Sequence, residues 1–169
     1  QNCKFKSDFI YVIKTKNIRN LLSEIVSKFY RLKPKNIIAV TGTNGKTSVA
    51  DFFYQILTIN KIPASYIGTL GIKYNKKVIK TNLTTPDAIT IHKNLEKLKK
   101  KNINNVIIEA SSHSLDQSRL NNINFKAGIF TNFTQDHLDY HKTMNAYLKA
   151  KLILFSKILS KKSYVISDK

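Results

Sequence analysis

The feature that most constrains the fold is a glycine-rich turn between an apolar run and an amphipathic run, "IIAVTGTNGKTSVADFF", at residues 37–53. Residues 37–40 are apolar and mostly β-branched, which is typical of a short buried strand. From residue 49 to residue 57 the apolar side chains recur at helical spacing. Gly42 and Gly45 therefore lie at a strand-to-helix turn, where backbone N–H groups and the helix dipole can hold an anion.

A phosphate loop is the chemistry that this turn favours. Lys46 supplies a positive charge, and Thr47 supplies a hydroxyl that can bind Mg²⁺. The match is shorter than the usual pattern, because Val40 occupies the place of the first glycine. The alternative is a glycine-rich turn with an unrelated lysine, but the strand before it and the helix after it favour phosphate binding.

The net charge of +19, from 29 Lys and Arg against 10 Asp and Glu, could indicate a nucleic-acid partner. However, only Arg19, Arg31 and Arg119 are arginines, and the lysines are scattered along the chain. We therefore expect no nucleic-acid partner. A basic, nucleic-acid-binding P-loop NTPase is the less favoured alternative.

The length of 169 residues and the 42% of hydrophobic residues agree with a globular domain that has a core. No apolar run is long enough to span a membrane, and no leader opens the chain, so we expect a cytoplasmic protein without a membrane partner. The single cysteine, Cys3, excludes an internal disulfide framework. Because the chain begins at Gln1 and its only methionine is Met144, we expect it to be a piece of a longer protein, or a processed one.

Strand-like and helix-like runs alternate along the chain. Helical spacing is predicted over residues 17–32 and 144–159, two β-like runs joined by a polar turn lie within residues 64–81, and further strands read "NVIIE", "AGIF" and "SYVIS". This alternation predicts an α/β fold with a doubly wound, mostly parallel sheet of the P-loop NTPase type, whose ligands gather at the carboxyl ends of the strands. The last strand ends near residue 169, so we expect the sheet to be incomplete.

A helix is also predicted after residue 85, with Thr85 as its N-cap and Pro86 at its first position. Its inward stripe comprises Ile89, His92, Leu95 and Leu98. On such a stripe, His92 is interpreted as a core histidine rather than a ligand.

Acidic and imidazole side chains follow two of the predicted strands. Glu109 comes directly after a buried strand, and it can reach a Mg²⁺ that Thr47 also holds; a solvated strand-end acid is the alternative. The segment "DHLDYH" adds carboxylates and the imidazoles of His137 and His141. Such clusters usually suit zinc or iron, but phosphoryl transfer favours magnesium. We interpret His141 as an ordinary loop histidine.

Lys151 is the lysine whose position is most informative. On the helix predicted over residues 144–159, it shares a face with Tyr147 and Leu154, whereas Lys149 lies on the polar face. Burial of Lys151 would lower the pKa of its amine, and the neutral amine that results would be nucleophilic. The alternative is a lysine that extends from an apolar face to solvent.

Together, G-T-N-G-K-T, "EASSHSLDQSR" and "TNFTQDHLDYH", with a lysine 14 residues after His137, resemble the Mur ligases of bacterial cell-wall synthesis. The likeness is greatest to the UDP-N-acetylmuramoyl-tripeptide synthetase (MurE-type) members. The first motif alone also fits folylpolyglutamate and cyanophycin synthetases, which are the alternative. The resemblance implies that residues 35–169 form most of a central ATP-binding domain and that residues 1–34 end a UDP-binding domain and form a linker helix. It also implies that a C-terminal domain is absent and that the protein is a monomer.

The resemblance further implies an ATP-dependent ligase reaction. ATP would phosphorylate the D-glutamate carboxylate of UDP-N-acetylmuramoyl-L-alanyl-D-glutamate, and the amine of a diamino acid would then attack the acyl phosphate. Because this reaction brings anions together, Lys46 and two Mg²⁺ ions would offset the repulsion. The isolated chain is expected to be inactive.

Functional residues follow from the resemblance by position. The ATP site would comprise Gly42, Thr43, Asn44, Gly45, Lys46, Thr47 and Ser48, and the catalytic set Lys46, Glu109, His137 and Lys151. Thr47, Glu109 and His137 would serve the metal ions, and Lys151 matches a lysine that the family carbamylates with carbon dioxide, which would let it support magnesium. The muramoyl-peptide substrate would contact Thr84, Thr85, Ser111, Gln117 and Arg119. Two departures from the family pattern are Leu83, where asparagine often stands, and Ser114, where glycine is common.

Overall fold

A computed structural model describes residues 13–168 of the chain. Gln1 and Cys3, on which two of the predictions rest, lie outside this range. The helices are α1 (Ile18–Phe29), α2 (Lys46–Ile59), α3 (Ala88–Lys100), α4 (Ser112–Asp116), α5 (Leu138–His141) and α6 (Met144–Ile153), and a π-helical turn (Leu154–Ile158) extends α6. The strands are β1 (Asn36–Thr41), β2 (Ala64–Gly68), β3 (Gly71–Tyr74), β4 (Lys77–Ile79), β5 (Asn105–Glu109), β6 (Ala127–Phe130) and β7 (Tyr164–Ser167).

The seven strands form one sheet in the order β4-β3-β2-β5-β1-β6-β7. Five neighbouring strands pair in parallel, in the order β2-β5-β1-β6-β7. The other two strands, β3 and β4, add an antiparallel edge next to β2. The mostly parallel sheet is therefore confirmed. The two predicted β-like runs are in fact three strands, because the first run is interrupted at Thr69 and Leu70, where a positive φ of 92° at Gly71 allows a tight turn.

Alternate residues of the strands pack into two separate cores. Val40, Tyr66 and Ile107 face one side, where α2 covers them. Ile37 and Ile108 face the other side, against α3, α4 and the end of α6. Helices thus cover both faces of the sheet, as the doubly wound prediction requires.

The start of α3 differs from the prediction. Asp87 is its N-cap, and the Asp87 carboxylate accepts a hydrogen bond of 2.9 Å from the backbone N–H of Thr90. The predicted cap at Thr85 is wrong, because the buried Thr85 hydroxyl instead donates to the backbone carbonyl of Glu109. Ile89 is also not inward but 46% exposed. The side chains that do face the core are Ala88, Ile91, His92, Leu95 and Leu98, so the interpretation of His92 as a core histidine is confirmed.

Helix α1 packs through a mixed face, on which Ser23 and Val26 are buried. The hydroxyls of Ser23 and Ser27 donate to the backbone carbonyls of Asn121 and Asn122, at 2.8 and 3.1 Å. Its apolar side chains Ile18, Leu22, Ile25 and Phe29 are exposed. Within residues 13–168, no helix is both long and apolar enough to cross a lipid bilayer.

Candidate nucleotide and substrate site

The turn between β1 and α2 depends on its two glycines. Gly42 has a φ of 144° and Gly45 a φ of 82°, both in the region that side chains disfavour. A Cβ atom at Gly42 would also overlap the Thr131 hydroxyl, whereas one at Gly45 would meet nothing closer than 3.8 Å. The chain can therefore bend sharply at the end of β1 and enter α2 within four residues.

The opening turn of α2 provides the positive groups of this site. The backbone N–H groups of Lys46, Thr47 and Ser48 have no acceptor within the helix, so they can bind an anion. The Lys46 amine donates to the carbonyls of Gly42 and Thr43, at 3.0 and 2.7 Å. Burial lowers the pKa of Lys46, and the nearby Glu109 and Asp136 oppose that shift. The predicted phosphate loop thus has the geometry of an anion site.

Residues 131–134, which follow β6, hold this loop in place and were missed by the sequence analysis. The Asn132 carbonyl accepts from the Thr43 N–H at 3.0 Å, and its side-chain oxygen accepts from the Asn44 N–H at 2.9 Å. The Thr131 hydroxyl donates to the Asn44 carbonyl at 2.6 Å. The only signal in the sequence was the polar pair T-N directly after a buried strand.

Glu109 is fully buried at the end of β5, so the solvated strand-end alternative is wrong. Because it alternates with Ile107, it lies on the face of the sheet that α2 covers. One carboxylate oxygen, Oε2, accepts from the Thr47 and Thr69 hydroxyls at 2.9 and 3.2 Å. The other, Oε1, accepts from the Thr69 N–H at 3.0 Å and from the Tyr66 hydroxyl.

The pair of Thr47 and Glu109 fits a magnesium ion. Neighbouring oxygen ligands in an octahedral Mg²⁺ site lie about 3 Å apart, and the Thr47 hydroxyl lies 2.9 Å from Glu109 Oε2. No group of three or more His, Cys, Asp or Glu side chains in the described part of the chain could hold a metal alone. An ion here would therefore complete its shell with phosphate oxygens and water.

His137 stands at the start of α5 in a left-handed conformation, with φ 52° and ψ 30°. Its Nε2 lies 3.4 Å from Oδ2 of Asp136, and its ring meets the ring of His113 edge to face at 5.0 Å between centroids. His141 is not a loop histidine as interpreted from the sequence. It is buried at the end of α5, and its Nε2 lies 2.9 Å from the Ser112 hydroxyl.

A cavity of about 270 Å³ brings most of the predicted substrate residues together with His137. Its lining comprises Leu83, Thr84, Thr85, Ser111, His113, Arg119 and His137. Ser111 caps α4, and its N–H donates to the Thr85 hydroxyl at 3.1 Å. The Thr84 and Thr69 hydroxyl oxygens lie 3.2 Å apart, and since the single Thr69 proton goes to Glu109, Thr84 is the donor between them. Because Thr69 also contacts Glu109, the cavity and the magnesium pair share one hydrogen-bonded network.

The fifth predicted substrate residue, Gln117, orients Arg119. Its side-chain oxygen accepts from Nε and one terminal nitrogen of Arg119, at 3.1 and 2.6 Å, and the other terminal nitrogen donates to the Thr85 carbonyl at 2.7 Å. The Gln117 amide nitrogen in turn donates to the Tyr140 hydroxyl, which donates to Asp116. Since a guanidinium has five N–H groups, Arg119 keeps two for a carboxylate.

Lys151 points into the protein rather than to solvent. It is 1% exposed, its amine donates to the Gly42 carbonyl at 2.6 Å, and it lies 4.2 Å from the centre of the Tyr147 ring. Lys149 is exposed, so the predicted faces of α6 are confirmed and the solvent-reaching alternative is wrong. Burial, followed by the charge of Lys46, lowers the pKa of Lys151 to about 7.

A parallel sheet with helices on both faces, a glycine turn that opens a helix, and a buried acid beside it define an α/β protein of the phosphate-loop class. Within this class, the chain belongs to the Mur ligase middle-domain family, whose sequence profile matches residues 40–169. The resemblance predicted from the sequence is thereby confirmed.

Relatives and solved structures agree with this family. The Zymomonas mobilis protein named UDP-N-acetylmuramoyl-L-alanyl-D-glutamate--2,6-diaminopimelate ligase is 48% identical over 139 residues, which cover 82% of this chain and 29% of that protein. A solved structure of a ligase with the same name is 27% identical, with a TM-score of 0.72 over 89% of this chain and 35% of that one. Mycobacterium tuberculosis folylpolyglutamate synthase, solved with ADP, has a TM-score of 0.67 at 15% identity over 91% of this chain and 42% of that one, so it shares the fold alone.

The fold class predicted from the sequence is therefore confirmed. The chain spans about a third of the length of the curated relatives that it matches, 27% to 34% for three further proteins named as this ligase.

Proposed function

We propose that the full-length protein is an ATP-dependent ligase that joins 2,6-diaminopimelate to UDP-N-acetylmuramoyl-L-alanyl-D-glutamate. The observation that carries this proposal is the network through Thr69, which joins the Thr47–Glu109 pair to the cavity that contains Arg119. A reaction between a nucleotide phosphate and a substrate carboxylate requires two such sites side by side. The amino acid is taken from the names of relatives up to 48% identical to the chain.

In the proposed reaction, an oxygen of the D-glutamate side-chain carboxylate attacks the γ-phosphorus of ATP, and ADP leaves. The deprotonated amine of the diamino acid then attacks the acyl carbon, and phosphate leaves with the C–O bonding electrons. Arg119 would hold the carboxylate through its two remaining N–H groups. Lys46 and the first amides of α2 would offset the repulsion between carboxylate and phosphate.

Magnesium would be held by Thr47 and Glu109, with His137 as a candidate ligand of a second ion. When bound, Mg²⁺ supplies positive charge to the phosphate oxygens and aids the departure of ADP. His137 has a carboxylate partner in Asp136, as metal-binding imidazoles usually do.

Lys151 is the candidate for carbamylation. Its buried amine, with a pKa of about 7, is largely neutral at slightly alkaline pH, and only a neutral amine can attack carbon dioxide. The N–C bond forms, one proton leaves, and the resulting carbamate anion would lie near the ammonium of Lys46. This group could support magnesium as a carboxylate does.

In this proposal, residues 35–169 form the ATP-binding part of the enzyme, and residues 1–34 end a preceding UDP-binding domain and linker. Parts of the protein outside this chain would supply the grip on uridine and select the amino acid. ATP and a UDP-linked substrate are consistent with a role in peptidoglycan synthesis in the bacterial cytoplasm. The likeness to folylpolyglutamate synthase concerns the fold alone and supports no second function.

The test uses purified full-length protein with ATP and Mg²⁺. Phosphate release is expected only when the muramoyl-dipeptide nucleotide and diaminopimelate are both present, with the tripeptide nucleotide detected by mass spectrometry. Phosphate release that DNA or RNA stimulates without these substrates would contradict the proposal. Turnover with a folate and glutamate instead would assign the chain to the folylpolyglutamate branch.

A further inference from the structure

The two oxygens of the Glu109 carboxylate lie in different surroundings. Oε2 faces the Thr47 hydroxyl and the phosphate loop, where the proposed magnesium would bind. Oε1 faces the interior, where it accepts from the Tyr66 hydroxyl and the Thr69 N–H. The rotamer of Glu109, and hence the direction of Oε2, is therefore fixed from the side of Oε1.

Strand register brings Tyr66 to this carboxylate. Tyr66 pairs with Ile107 across β2 and β5, so it lies on the same face as Glu109 and diagonal to it. A diagonal neighbour is within reach of a side chain as long as tyrosine. Gly68, two residues further along β2, leaves the necessary space, because a Cβ there would collide with both Glu109 Oε1 and the Tyr66 hydroxyl.

The Tyr66 hydroxyl is itself held in one orientation. It accepts a hydrogen bond of 3.1 Å from the backbone N–H of Leu70, so its single proton is directed to Glu109. The ring is fully buried, and the Lys73 amine, paired with Asp51 at 2.7 Å, lies 5.3 Å from its centre. The phenol is thus a fixed donor rather than a mobile one.

We propose that Tyr66 is a positioning residue for the magnesium site: its hydroxyl fixes Glu109 so that Oε2 is presented to the metal. This inference rests on the proposed role of Glu109 in binding magnesium. A hydrogen bond to an ionised carboxylate is about twice as strong as one between neutral groups. Removing the hydrogen-bond partner of a metal-binding side chain typically lowers the metal affinity by roughly 10-fold to 100-fold.

Tyr66→Phe in the full-length protein tests the inference, with Tyr74→Phe as the matched control. Both tyrosines are buried in the same sheet, but Tyr74 packs into the opposite core. Binding of Mn²⁺, a paramagnetic substitute for Mg²⁺, is measured by electron paramagnetic resonance with a non-hydrolysable ATP analogue present. Tyr66→Phe should weaken Mn²⁺ binding about tenfold, and Tyr74→Phe should leave it unchanged.

Two further measurements separate positioning from simple support of the fold. Affinity for the nucleotide without metal should be the same in both variants, although the melting temperature should fall further in Tyr66→Phe, which removes a hydrogen bond from the buried Glu109 carboxylate and from the Leu70 N–H. In a Glu109→Gln background, Tyr66→Phe should cause no additional loss of Mn²⁺ affinity, because the two residues act through one contact. Unchanged Mn²⁺ binding in Tyr66→Phe, or an equal loss in Tyr74→Phe, would overturn the inference.

The result does not depend on ligase activity. If full-length protein forms no tripeptide nucleotide but Tyr66→Phe still weakens Mn²⁺ binding, the proposed substrates are wrong and the positioning role stands. If ligation is observed but Mn²⁺ binding is insensitive to Tyr66→Phe, the ligase proposal stands and the positioning role is wrong.

Discussion

The side-chain amines of Lys46 and Lys151 donate hydrogen bonds to the same acceptor, the backbone carbonyl oxygen of Gly42, at 3.0 and 2.6 Å. Two ammonium groups on one oxygen repel each other, and this repulsion adds to the effect of burial on Lys151. Lys46 is half-buried, whereas Lys151 is buried. Lys151 is therefore the amine that gives up its proton more readily. The phosphate loop thereby shapes the reactivity of a lysine more than 100 residues away in sequence.

The first prediction compares Lys151→Ala with Lys149→Ala in full-length protein. Lys151→Ala should lower the ligation rate by on the order of a hundredfold or more, because it removes the group proposed to support the metal. Lys149→Ala should be nearly silent, since Lys149 is exposed on the other face of α6. Steady-state kinetics measure the rates, and circular dichroism checks that both variants fold.

Chemical rescue sharpens this comparison. Short carboxylic acids should partly restore the Lys151→Ala variant by occupying the vacated space. Lys151→Glu should retain some activity, although a misplacement of about 1 Å can cost about a hundredfold in rate. Normal ligation by Lys151→Ala together with an inactive Lys149→Ala would contradict both the assigned face and the assigned role.

The second prediction concerns pH and the stability of the protein in buffer free of carbon dioxide. The pKa of Lys151 is about 7 when folded and about 10.4 when unfolded, so between these values the unfolded chain binds more protons. The contribution of Lys151 to the free energy of unfolding must therefore rise with pH across this window. Below about pH 7 the amine is charged in both states, so the destabilisation caused by burying its charge is complete there. Urea unfolding of the wild type and of Lys151→Met should show a stability difference that shifts in favour of the wild type as pH increases. A difference that is independent of pH would mean that the Lys151 amine stays charged in the folded state.

Local patterns allowed much of the site to be predicted. The strand, glycine turn and helix around Gly42 are contiguous in sequence, and helical periodicity alone separated Lys151 from Lys149. The end of a parallel strand placed Glu109 at the edge where the turn also lies. The first two features depend on residues near one another in the chain, and the third follows from the general rule that parallel strands end at one edge of the sheet.

Features that depend on strand order or register could not be predicted in the same way. The contacts of Asn132 with the phosphate loop require β6 to lie beside β1, and the contact of Tyr66 with Glu109 requires the register of β2 against β5. The start of α3 was misplaced because Thr85 and Asp87 are both good N-caps, and the buried contact of Thr85 with Glu109 decides between them.

The third prediction is that Tyr140→Phe weakens substrate recognition without changing ATP binding. The Tyr140 hydroxyl accepts from the Gln117 amide nitrogen, and this contact keeps the Gln117 oxygen turned toward Arg119. Without it the amide can rotate, and the orientation of the guanidinium is lost. The KM for the muramoyl-dipeptide nucleotide should rise about tenfold, the equivalent of roughly 1.4 kcal/mol, while the KM for ATP stays within about twofold.

Tyr54→Phe is the control for this change, because Tyr54 lies on α2 and lines no part of the substrate cavity. An equal rise in both KM values for Tyr140→Phe would indicate a general disturbance of the site. Such a result would contradict the specific role assigned to the contact with Gln117.

The last prediction separates the two glycines of the phosphate loop. Gly42→Ala must place a side chain at a φ of 144° and also displace the Thr131 hydroxyl, so it should cost about 2 kcal/mol or more in the free energy of unfolding. In Gly45→Ala the added Cβ, at a φ of 82°, would make only ordinary contacts with Thr131 at 3.8 Å or more, so this change should cost only about 1 kcal/mol. The affinity for ATP should fall further in Gly42→Ala, because Thr131 also holds the Asn44 carbonyl of the loop.

A double variant separates the overlap with Thr131 from the other costs of a side chain at Gly42. Thr131→Ala removes the hydroxyl that a Cβ at Gly42 would overlap, so Gly42→Ala with Thr131→Ala should be more stable than the sum of the two single changes predicts. The remaining deficit is the backbone strain at Gly42 together with the close approach of the added Cβ to the Asn132 backbone at 3.1 Å, neither of which a change at Thr131 removes. Urea unfolding of the four proteins measures both parts, and strictly additive losses would show that the overlap with the Thr131 hydroxyl contributes nothing to the requirement for glycine at position 42.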